Sequence, residues 1–282
     1  MEKRAGFITV TEQGIAQSFD ITRIMFSRGN ITEKIRFGAQ LVREGEVILD
    51  MYSGIGYYTL PALVHGKAKH VICCEWNEFA IEALQYNLQH NNNIGSQKYT
   101  IWHGDCRSSI RENLDMIHNV FHGVDRISLG LLPSSEGGWP VAVSTLRKDR
   151  GGWLHIHGNV HMDEKKIWSH WICKQLYQII SLMKNEMNSY SDWHVFCSHV
   201  ERVKSFAPKI NHYVADIYLG PKSESSAADF PYGIFLNDDD DDDDDDETKV
   251  KFEPCPPLLP TPSCALLEDG TIYRRWMVEH GT

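Results

Sequence analysis

One short stretch, residues 46–61, constrains the fold of this chain more than any other. Residues 47–49 are an apolar run typical of a strand that is buried on both faces. Gly54 and Gly56 then permit a sharp turn, and residues 57–64 have the composition of a helix. A strand, a glycine turn and a helix in this order bring backbone N–H groups towards a ligand at the start of the helix. The stretch therefore predicts a nucleotide-handling α/β unit.

The turn departs from the dinucleotide-binding fingerprint in two ways. Thr59 stands where the third glycine would fall, and Asp50 adds a carboxylate at the end of the strand. A carboxylate repels a pyrophosphate but suits a ligand with an ammonium or sulfonium group. This pattern resembles the first motif of class I S-adenosylmethionine-dependent transferases, a resemblance that implies Asp50, Gly54 and Gly56 at the cofactor. Plain strand–turn–helix units with two glycines also occur in other α/β domains.

Two later strands also end in acidic residues. The apolar segment 69–75 ends in Glu75, and the segment 99–105 ends in Asp105. Because ligands bind outside the carboxyl ends of parallel strands, we expect these carboxylates and that of Asp50 around one crevice. Glu75 follows the glycine turn at about the 20-residue spacing at which an acid reaches a ribose hydroxyl pair. A strand-end acid can also be only a helix cap, so that interpretation stays open.

The rest of the chain completes a Rossmann-like α/β fold with a mostly parallel sheet and helices on both faces. Periodicity and turn residues predict, in order, a hairpin over 7–19, a helix from Asn30 or Thr32 to about Val42, a helix capped by Asn77, strands over 125–132 and 152–160, a long helix opened by Asp163, and strands near 193–203 and 210–219. The last two strands have no long helix between them, which favours an antiparallel edge pair.

Two further motifs hold polar side chains near the expected crevice. The segment after the fourth strand contains Ser134, Ser135 and Glu136. We expect a loop over the ligand there, although a solvated turn explains these residues nearly as well. The fifth strand alternates His155 and His157. No third metal ligand lies in an evident position, so structural or crevice-edge histidines are favoured and no metal site is expected.

The charge of the chain is concentrated near its end. The net charge is -10, yet nine aspartates form one run, 238–246, so the remainder is close to neutral. The run and the prolines after it predict disorder beyond residue 220, in a tract that either mimics nucleic-acid phosphate or only solubilises the chain. We therefore expect a hairpin and helix over 1–45, a catalytic domain over 46–220 and a tail over 221–282.

Cysteine usage and hydropathy bear on the compartment. Seven cysteines without Cys-x-x-Cys spacing predict free thiols instead of disulfides or structural zinc. The N-terminus has no apolar signal core, and no run reaches the ~20 apolar residues of a membrane span. These features predict a cytoplasmic protein with no membrane partner.

Several stretches together resemble one family. The matching stretches are 26–34, 50–61, 74–77, 104–107, 129–140, 151–160 and 200–208. They are similar to the tRNA wybutosine-synthesizing protein 2 family, the tRNA 4-demethylwyosine aminocarboxypropyltransferases, over about residues 6–220. The Leu-Pro-Ser-Ser-Glu loop at 132–136 is the most specific element. The related tRNA guanine-37 N1-methyltransferases share the fold but usually carry an Asn-Leu-Pro loop after the fourth strand.

The resemblance implies the site residues. It implies cofactor contacts by Ser27, Lys34, Glu75, Asp105 and Cys106. Family members usually have Asn in place of Cys106, which weakens the adenine contact if the Asn side chain makes it and changes nothing if the backbone does. From the residues alone, Ser27 and Lys34 are also explained as loop and cap chemistry. The candidates for contacting the base, or the proton that it loses, are Ser134, Ser135, Glu136 and His155.

The implied reaction transfers the 3-amino-3-carboxypropyl group of S-adenosylmethionine to C7 of 4-demethylwyosine at position 37 of phenylalanine tRNA, releasing methylthioadenosine. A monomer that binds the anticodon loop is expected, with Arg28, Lys34, Arg107 and Trp139 near the RNA. Three alternatives stay open. They are N1-methylation of guanine 37, a catalytically silent tRNA-binding homologue, and a small-molecule methyltransferase, which the segment 26–30 disfavours.

Overall fold

The computed structural model describes residues 5–91, 94–186, 190, 192–222 and 232–235, without the side chains of 28, 184–186 and 232–235. The strands are β1 (Phe7–Glu12), β2 (Ile15–Asp20), β3 (Val47–Asp50), β4 (His70–Glu75), β5 (Tyr99–His103), β6 (Arg126–Leu129), β7 (Gly152–His161), β8 (Trp193–Ala207), β9 (Ile210–Pro221) and β10 (Tyr232–Phe235). The helices are α1 (Ile31–Ile35), α2 (Thr59–Val64), α3 (Glu78–His90), α4 (Cys106–Glu112), α5 (Leu114–Phe121), α6 (Trp139–Thr145) and α7 (Lys165–Glu186). The acidic run lies outside the described residues.

The N-terminal hairpin is as the sequence predicts. β1 and β2 pair antiparallel, and Gln13 and Gly14 occupy the turn at positive φ. The helix expected next begins at Ile31 as α1 and continues over Arg36–Leu41 as a π-helical segment. The side chain of Asn30 makes no capping hydrogen bond, so the cap that the sequence predicts there is wrong.

The parallel half of the sheet contains the expected crevice. The eight-stranded sheet has the order β10-β8-β9-β7-β6-β3-β4-β5. β3 pairs in parallel with β4 on one side and with β6 on the other, and β5 and β7 extend the two sides. The direction of winding therefore changes between β3 and β6. Ligands of doubly wound sheets bind at such a switch point, outside the carboxyl ends of the strands.

The antiparallel half confirms one expectation and corrects another. β9 pairs antiparallel with both β7 and β8, as the missing helix between the two strands predicts. A further strand, β10, pairs with β8 at Val195–Cys197, so β8 does not form the edge. The expectation that no regular structure follows residue 220 is therefore wrong at Tyr232–Phe235. Backbone pairing there is a long-range interaction that local composition does not reveal.

Alternation along β3 divides the core between two layers. Val47 and Leu49 face one layer, and Ile48 faces the other. The first layer is covered by α7, whose buried face consists of Trp168, Ile172, Leu176 and Ile180. Helices thus lie on both faces of the sheet, and the expected fold class is confirmed.

Candidate active site

The loop after β3 is shaped by its two glycines. Gly54 has a φ of +53° and Gly56 a φ of +102°, conformations that L side chains rarely adopt. A Cβ on Gly54 would lie 2.9 Å from the Tyr57 ring, and one on Gly56 would lie 2.9 Å from Leu60. Larger residues would strain the backbone and crowd the start of α2. The turn therefore runs tightly along the carboxyl edge of the sheet.

Glu75 joins the end of β4 to this glycine loop. Its Oε2 accepts a 2.7 Å hydrogen bond from the Gly54 amide, and its Oε1 accepts from the amides of Trp76 and Asn77 at 2.9 and 2.8 Å. The carboxylate is half-buried and held by the backbone of two loops. It therefore presents fixed acceptors at the crevice.

Asp50 lies beneath the loop and not at its surface. The side chain is 1% exposed, and Oδ2 accepts a 2.7 Å hydrogen bond from the Thr59 hydroxyl. Burial raises the pKa of Asp50 to about 6, and the bond from Thr59 opposes that shift. The carboxylate ties the start of α2 to the end of β3. The expected cofactor contact by Asp50 stays a prediction.

Asp105 begins a helix instead of ending a strand. β5 ends at His103, and Asp105 caps α4 by accepting a 2.8 Å bond from the Arg107 amide. The Arg107 guanidinium also pairs with this carboxylate and lowers its pKa. The Asp105 side chain is 43% exposed and faces the same edge as Glu75, which leaves it open to a ligand. The Cys106 thiol is buried beside Tyr52, and burial raises its pKa to about 11.

Tyr57 brings the N-terminal segment to the glycine loop. Its hydroxyl donates a 3.1 Å hydrogen bond to the Met25 carbonyl and accepts a 3.4 Å bond from the Ser27 amide. The ring also packs against Phe26. Tyr57 therefore contacts both Ser27 and Gly54, which are far apart in sequence. The segment that contains Ser27 lies beside the glycine loop, and a cofactor contact by Ser27 stays a prediction.

Lys34 stabilises that segment from within. It is 3% exposed, and its Nζ donates to Glu12 Oε2 at 2.7 Å and to the Ser27 carbonyl at 3.3 Å. Burial lowers the pKa of Lys34, and the Glu12 carboxylate opposes that effect. The ammonium also lies 5.0 Å from the Phe26 ring. The expected RNA contact of Lys34 is corrected because its charge is buried and paired, whereas its cofactor contact stays a prediction.

The loop after β6 lies beside the glycine loop. A Cβ on Gly138 would lie 2.8 Å from the Tyr52 hydroxyl, so the loop packs closely on the chain that follows β3. Ser134 donates a 2.8 Å hydrogen bond to Glu136 Oε1, and burial raises the pKa of Glu136. Ser135 is 1% exposed and accepts from the indole of a buried tryptophan. Ser134 and Glu136 are thus brought together, whereas Ser135 supports the loop.

The tryptophan in that bond is Trp139. It is 2% exposed and packs in the core against Trp171. The expectation that Trp139 offers a stacking surface to RNA is therefore wrong. The start of α6 turns its ring inward, because a tryptophan at this position fills the space between α6 and α7. The side chain of Arg28, another group expected near the RNA, lies outside the described residues.

His155 lies inside the sheet. It is 1% exposed, and its Nε2 accepts a 2.9 Å bond from Arg126, so its Nδ1 donates to Asp216 at 2.6 Å. Burial lowers the pKa of His155, which keeps the ring neutral. Asp216 also accepts two bonds from Arg36. Both ring nitrogens are engaged within the protein, and the expected catalytic contact by His155 stays a prediction.

Asn87 is a site residue that the sequence reading missed. Its Oδ1 accepts a 2.7 Å bond from the Ser18 amide, and its Nδ2 donates a 3.0 Å bond to the Ile55 carbonyl in the glycine loop. Asn91, one turn later, exchanges two bonds with the backbone of Ala16. The signal in the sequence was a pair of asparagines four residues apart on the apolar face of α3.

The described part of the chain has neither a metal-binding cluster nor a membrane-spanning helix. Within the described ranges, no group of three or more His, Cys, Asp or Glu is arranged to hold a metal ion. No helix of the described part has the length and apolar character to cross a membrane.

The geometry defines the class of protein. A doubly wound sheet, a tight glycine loop after its central strand and an acid bonded to that loop from the next strand are typical of α/β domains that bind a nucleoside-containing ligand. The chain belongs to the family described as TRM5/TYW2 methyltransferase domain, whose model matches residues 8–175.

Known proteins support this membership. The chain is 42% identical over 212 residues to a tRNA wybutosine-synthesizing protein 2/3/4 of Arabidopsis thaliana, covering 75% of this chain and 19% of that protein. It is 38% identical over 240 residues to a tRNA wybutosine-synthesizing protein 2 homolog of Danio rerio, covering 76% and 55% respectively. The chain thus spans about half, or less, of the length of these curated relatives.

Solved structures share the fold. TYW2 of M. jannaschii, solved in complex with AdoMet, superposes with a TM-score of 0.60 at 24% identity, over 78% of this chain and 89% of that one. Trm5b from Pyrococcus abyssi superposes with a TM-score of 0.60 at 21% identity, over 77% and 57%. At these identities the likeness establishes the architecture.

Proposed function

We propose that this chain carries the domain that transfers the 3-amino-3-carboxypropyl group of S-adenosylmethionine to C7 of 4-demethylwyosine at position 37 of phenylalanine tRNA. The observation that carries the proposal is Glu75 bonded to the Gly54 amide across β3 and β4. It occurs in a chain whose relatives at 42% and 38% identity are named for wybutosine synthesis. Phenylalanine tRNA as the substrate, a monomeric state and a cytoplasmic location stay predictions.

The donor set of the site fits S-adenosylmethionine. Each carboxylate oxygen has two lone pairs, and Glu75 Oε2 accepts only the Gly54 amide among the described groups. The remaining capacity suits a ribose hydroxyl. Gly54 and Gly56 carry no side chain, so the backbone of the glycine loop can approach a ligand closely. The partly exposed carboxylate of Asp105 adds a second acceptor at the same edge.

The chemistry depends on which carbon faces the acceptor. S-adenosylmethionine supplies a sulfonium with three carbons open to displacement, and positioning of the reacting pair can contribute ~7–11 kcal/mol. Glu75 and the glycine loop would hold the nucleoside end on the β3–β4 side. The loop at 134–136 lies on the β6 side, where it can orient the base. C7 then bonds to the γ-carbon, the bond from that carbon to sulfur breaks with its electrons on sulfur, and methylthioadenosine leaves.

The proton on C7 must leave after the new bond has formed. Glu136 is the acid in the loop that the family resemblance singles out, and burial raises its pKa, which makes its carboxylate a better proton acceptor. The Ser134 hydroxyl donates to Oε1 and fixes the orientation of the carboxyl group. We propose that Glu136 accepts this proton and that Ser134 orients it.

N1-methylation of guanine 37 is the second candidate. The family model names TRM5 as well as TYW2, whereas the relatives at 42% and 38% identity are named for wybutosine synthesis. Both reactions use the same sulfonium but add different groups. Simple atom counting gives about 101 Da for aminocarboxypropyl and about 14 Da for methyl.

Mass spectrometry of position 37 separates the candidates. The chain is incubated with S-adenosylmethionine and tRNA that contains 4-demethylwyosine, or with tRNA that contains unmodified guanine 37. A gain of about 101 Da on the first substrate, with methylthioadenosine as co-product, supports the proposal. A gain of about 14 Da on the second points to methylation. If neither tRNA gains mass although calorimetry shows S-adenosylmethionine binding, the transfer activity proposed for this chain is wrong.

A further inference from the structure

The stretch 200–208 belongs to the family resemblance, yet the site described so far does not use it. It forms the second half of β8 and leads into the turn before β9. Two residues expected near RNA, Lys34 and Trp139, are buried and bonded elsewhere. Arg107 is partly exposed but is paired with Asp105, so a further basic and aromatic surface is needed for the RNA, and the end of β8 supplies one.

Lys204 lies across the turn that precedes α1. A Cβ on Gly29 would lie 2.7 Å from Lys204 Nζ and 2.8 Å from its Cδ, so the lysine side chain lies directly against this turn. The positive charge of Lys204 is also one of the causes, after burial, that lower the pKa of Lys34. Among the described residues, Lys204 forms no ion pair with a carboxylate, in contrast to Lys34, whose Nζ lies 2.7 Å from Glu12.

Polar groups without partners flank this lysine. Asn30 Oδ1, one residue after Gly29, is buried with no hydrogen-bond partner among the described residues. His212, the cross-strand partner of Lys204, is 0% exposed and leaves its Nδ1 without a described partner. Asn30 Oδ1 is an acceptor and His212 is fully buried, so the group of this surface that suits an anionic ligand is the Lys204 cation.

Phe206 lies at a bulge two residues further along the same strand. β8 shifts its register against β9 between Ser205 and Ala207, and Phe206 is the extra residue. Its side chain is 48% exposed. Bulges re-aim side chains and are common next to active sites. A half-exposed phenylalanine at a bulge, beside an unpaired lysine, offers a ring face to a base.

This surface is continuous with the candidate active site. The Arg28–Asn30 turn packs on β8, and the Ser27 amide just before it bonds to Tyr57 at the end of the glycine loop. Lys204 is therefore connected to the glycine loop by one short segment. RNA held at Lys204 would have its neighbouring nucleotides near the crevice.

We propose that Lys204 and Phe206 form a contact surface for single-stranded RNA, in which Lys204 neutralises a backbone phosphate and Phe206 stacks on an unpaired base. The RNA is the loop that carries the reacting nucleotide, so the inference rests on the proposed function. Stacking on aromatic side chains and a basic track for the backbone are the usual means of holding unpaired nucleotides.

Salt-dependent binding of an oligoribonucleotide tests the lysine. A fluorescent single-stranded oligoribonucleotide with an anticodon-loop sequence is titrated with the full chain at several salt concentrations. Lys204→Ala should reduce the slope of log affinity against log salt by about 0.7, the value for one phosphate of a single strand. Lys204→Arg should keep the slope. Lys69→Ala removes an exposed lysine just before β4, in the parallel half of the sheet, and should leave the slope unchanged.

Three substitutions test the phenylalanine. Phe206→Ala should weaken binding about fivefold to 150-fold, the range for loss of one stacked base. Phe206→Tyr keeps the ring and should bind like the wild type. Phe206→Leu keeps an apolar side chain without a ring and should bind as weakly as the alanine variant. Affinity for S-adenosylmethionine should be the same in all variants, which also shows that they fold.

The outcomes separate this surface from the transfer reaction. If the wild type does not bind the oligoribonucleotide, or if Lys204→Ala keeps the wild-type slope and Phe206→Ala the wild-type affinity, the surface is wrong even when position 37 gains about 101 Da. If the oligoribonucleotide binds and both alanine variants lose affinity, while position 37 gains no mass, the surface stands and the proposed transfer fails.

Discussion

The two halves of the sheet place their polar residues differently. In the parallel half, Glu75 is the last residue of β4 and Asp105 caps α4. Their carboxylates accept hydrogen bonds from backbone amides. In the antiparallel half, His155 and Asp216 lie within strands, buried at 1% and 3% exposure, and bond to each other. The first arrangement builds a site at the surface. The second fixes the interior.

Sequence separation explains why the first arrangement is easier to recognise. The Asp105 carboxylate bonds to an amide two residues later, so a short sequence window contains both partners. The Asp216 carboxylate bonds to Arg36, 180 residues earlier. Arg36 also bonds to Glu33, and His155 also bonds to Arg126. The buried network therefore includes Glu33 and Arg126 as well. Partners so distant in sequence become visible only in the folded chain.

The largest expected effect comes from breaking the buried network. Asp216→Ala removes the shared partner of Arg36 and His155 and leaves a buried guanidinium unpaired on that side. We expect the free energy of unfolding to fall by about 3–5 kcal/mol, measured by urea denaturation. Asp149→Ala removes an acid that is 62% exposed and should cost about 1 kcal/mol or less. Equal losses for the two variants would remove the distinction between the interior and surface networks.

The next effect is the acid sensitivity of the antiparallel half. Burial, with help from the charge of Lys204, lowers the pKa of His212 to about 4. The unfolded chain therefore takes up the proton first as pH falls below 6.5, and the stability that this residue contributes above 6.5 is lost between 6.5 and 4. The expected loss is about 3 kcal/mol.

Two variants isolate this contribution. His212→Asn should flatten the decline of unfolding free energy between pH 7 and pH 4, measured by denaturation at each pH. His122→Asn replaces an exposed histidine in a left-handed conformation that asparagine tolerates, and it should leave the profile unchanged. A wild-type profile in the His212→Asn variant would show that the residue does not titrate as inferred.

In the parallel half, the expected effect is on ligand affinity. Glu75→Ala should weaken S-adenosylmethionine binding about tenfold to 150-fold, because hydrogen bonds to a charged acceptor contribute about 1.5–3 kcal/mol. The melting temperature should fall as well, since three backbone amides lose their acceptor. Glu112→Ala, at the end of α4, should change neither quantity. If calorimetry gives the same dissociation constant for the wild type, Glu75→Ala and Glu112→Ala, Glu75 does not bind the ligand.

The smallest expected effect compares two asparagines that both precede a helix. Asn77 accepts hydrogen bonds from the amides of Phe79 and Ala80, whereas Asn30 makes no capping bond. Asn77→Ala should destabilise the fold by about 0.5–2 kcal/mol, and Asn30→Ala should cost almost nothing. Thermal denaturation measures both. A larger loss for Asn30→Ala would mean that its side chain has a role that its bonds do not show.

The fold was largely predictable because its signals are local. The apolar run before Gly54, the hairpin turn at Gly14 and the cap at Asn77 each depend on a few neighbouring residues, and all three are confirmed. The missing helix between β8 and β9 also predicted their antiparallel pairing. β10 was missed because its strand character depends on pairing with a distant segment.

The site was less predictable because burial decides what a side chain does. Lys34 and Trp139 carry the chemistry of an RNA surface, but the fold buries both. His155 has the chemistry of a catalyst and is fixed between Arg126 and Asp216. Residue type and spacing do not report exposure, so the groups at the crevice could be separated from those beneath it only in three dimensions.

Asn87 gives the glycine loop a link to a distant part of the chain. One side chain binds the Ser18 amide of the hairpin and the Ile55 carbonyl of the loop. Any ligand that restrains the loop also restrains the amide at Ser18, which lies on another element. The rate at which that amide exchanges its hydrogen with deuterated water should therefore fall when the loop is occupied. Exchange at Ser18 thus reports whether the loop is occupied. In the Asn87→Ala variant, the exchange rate at Ser18 should no longer depend on the ligand.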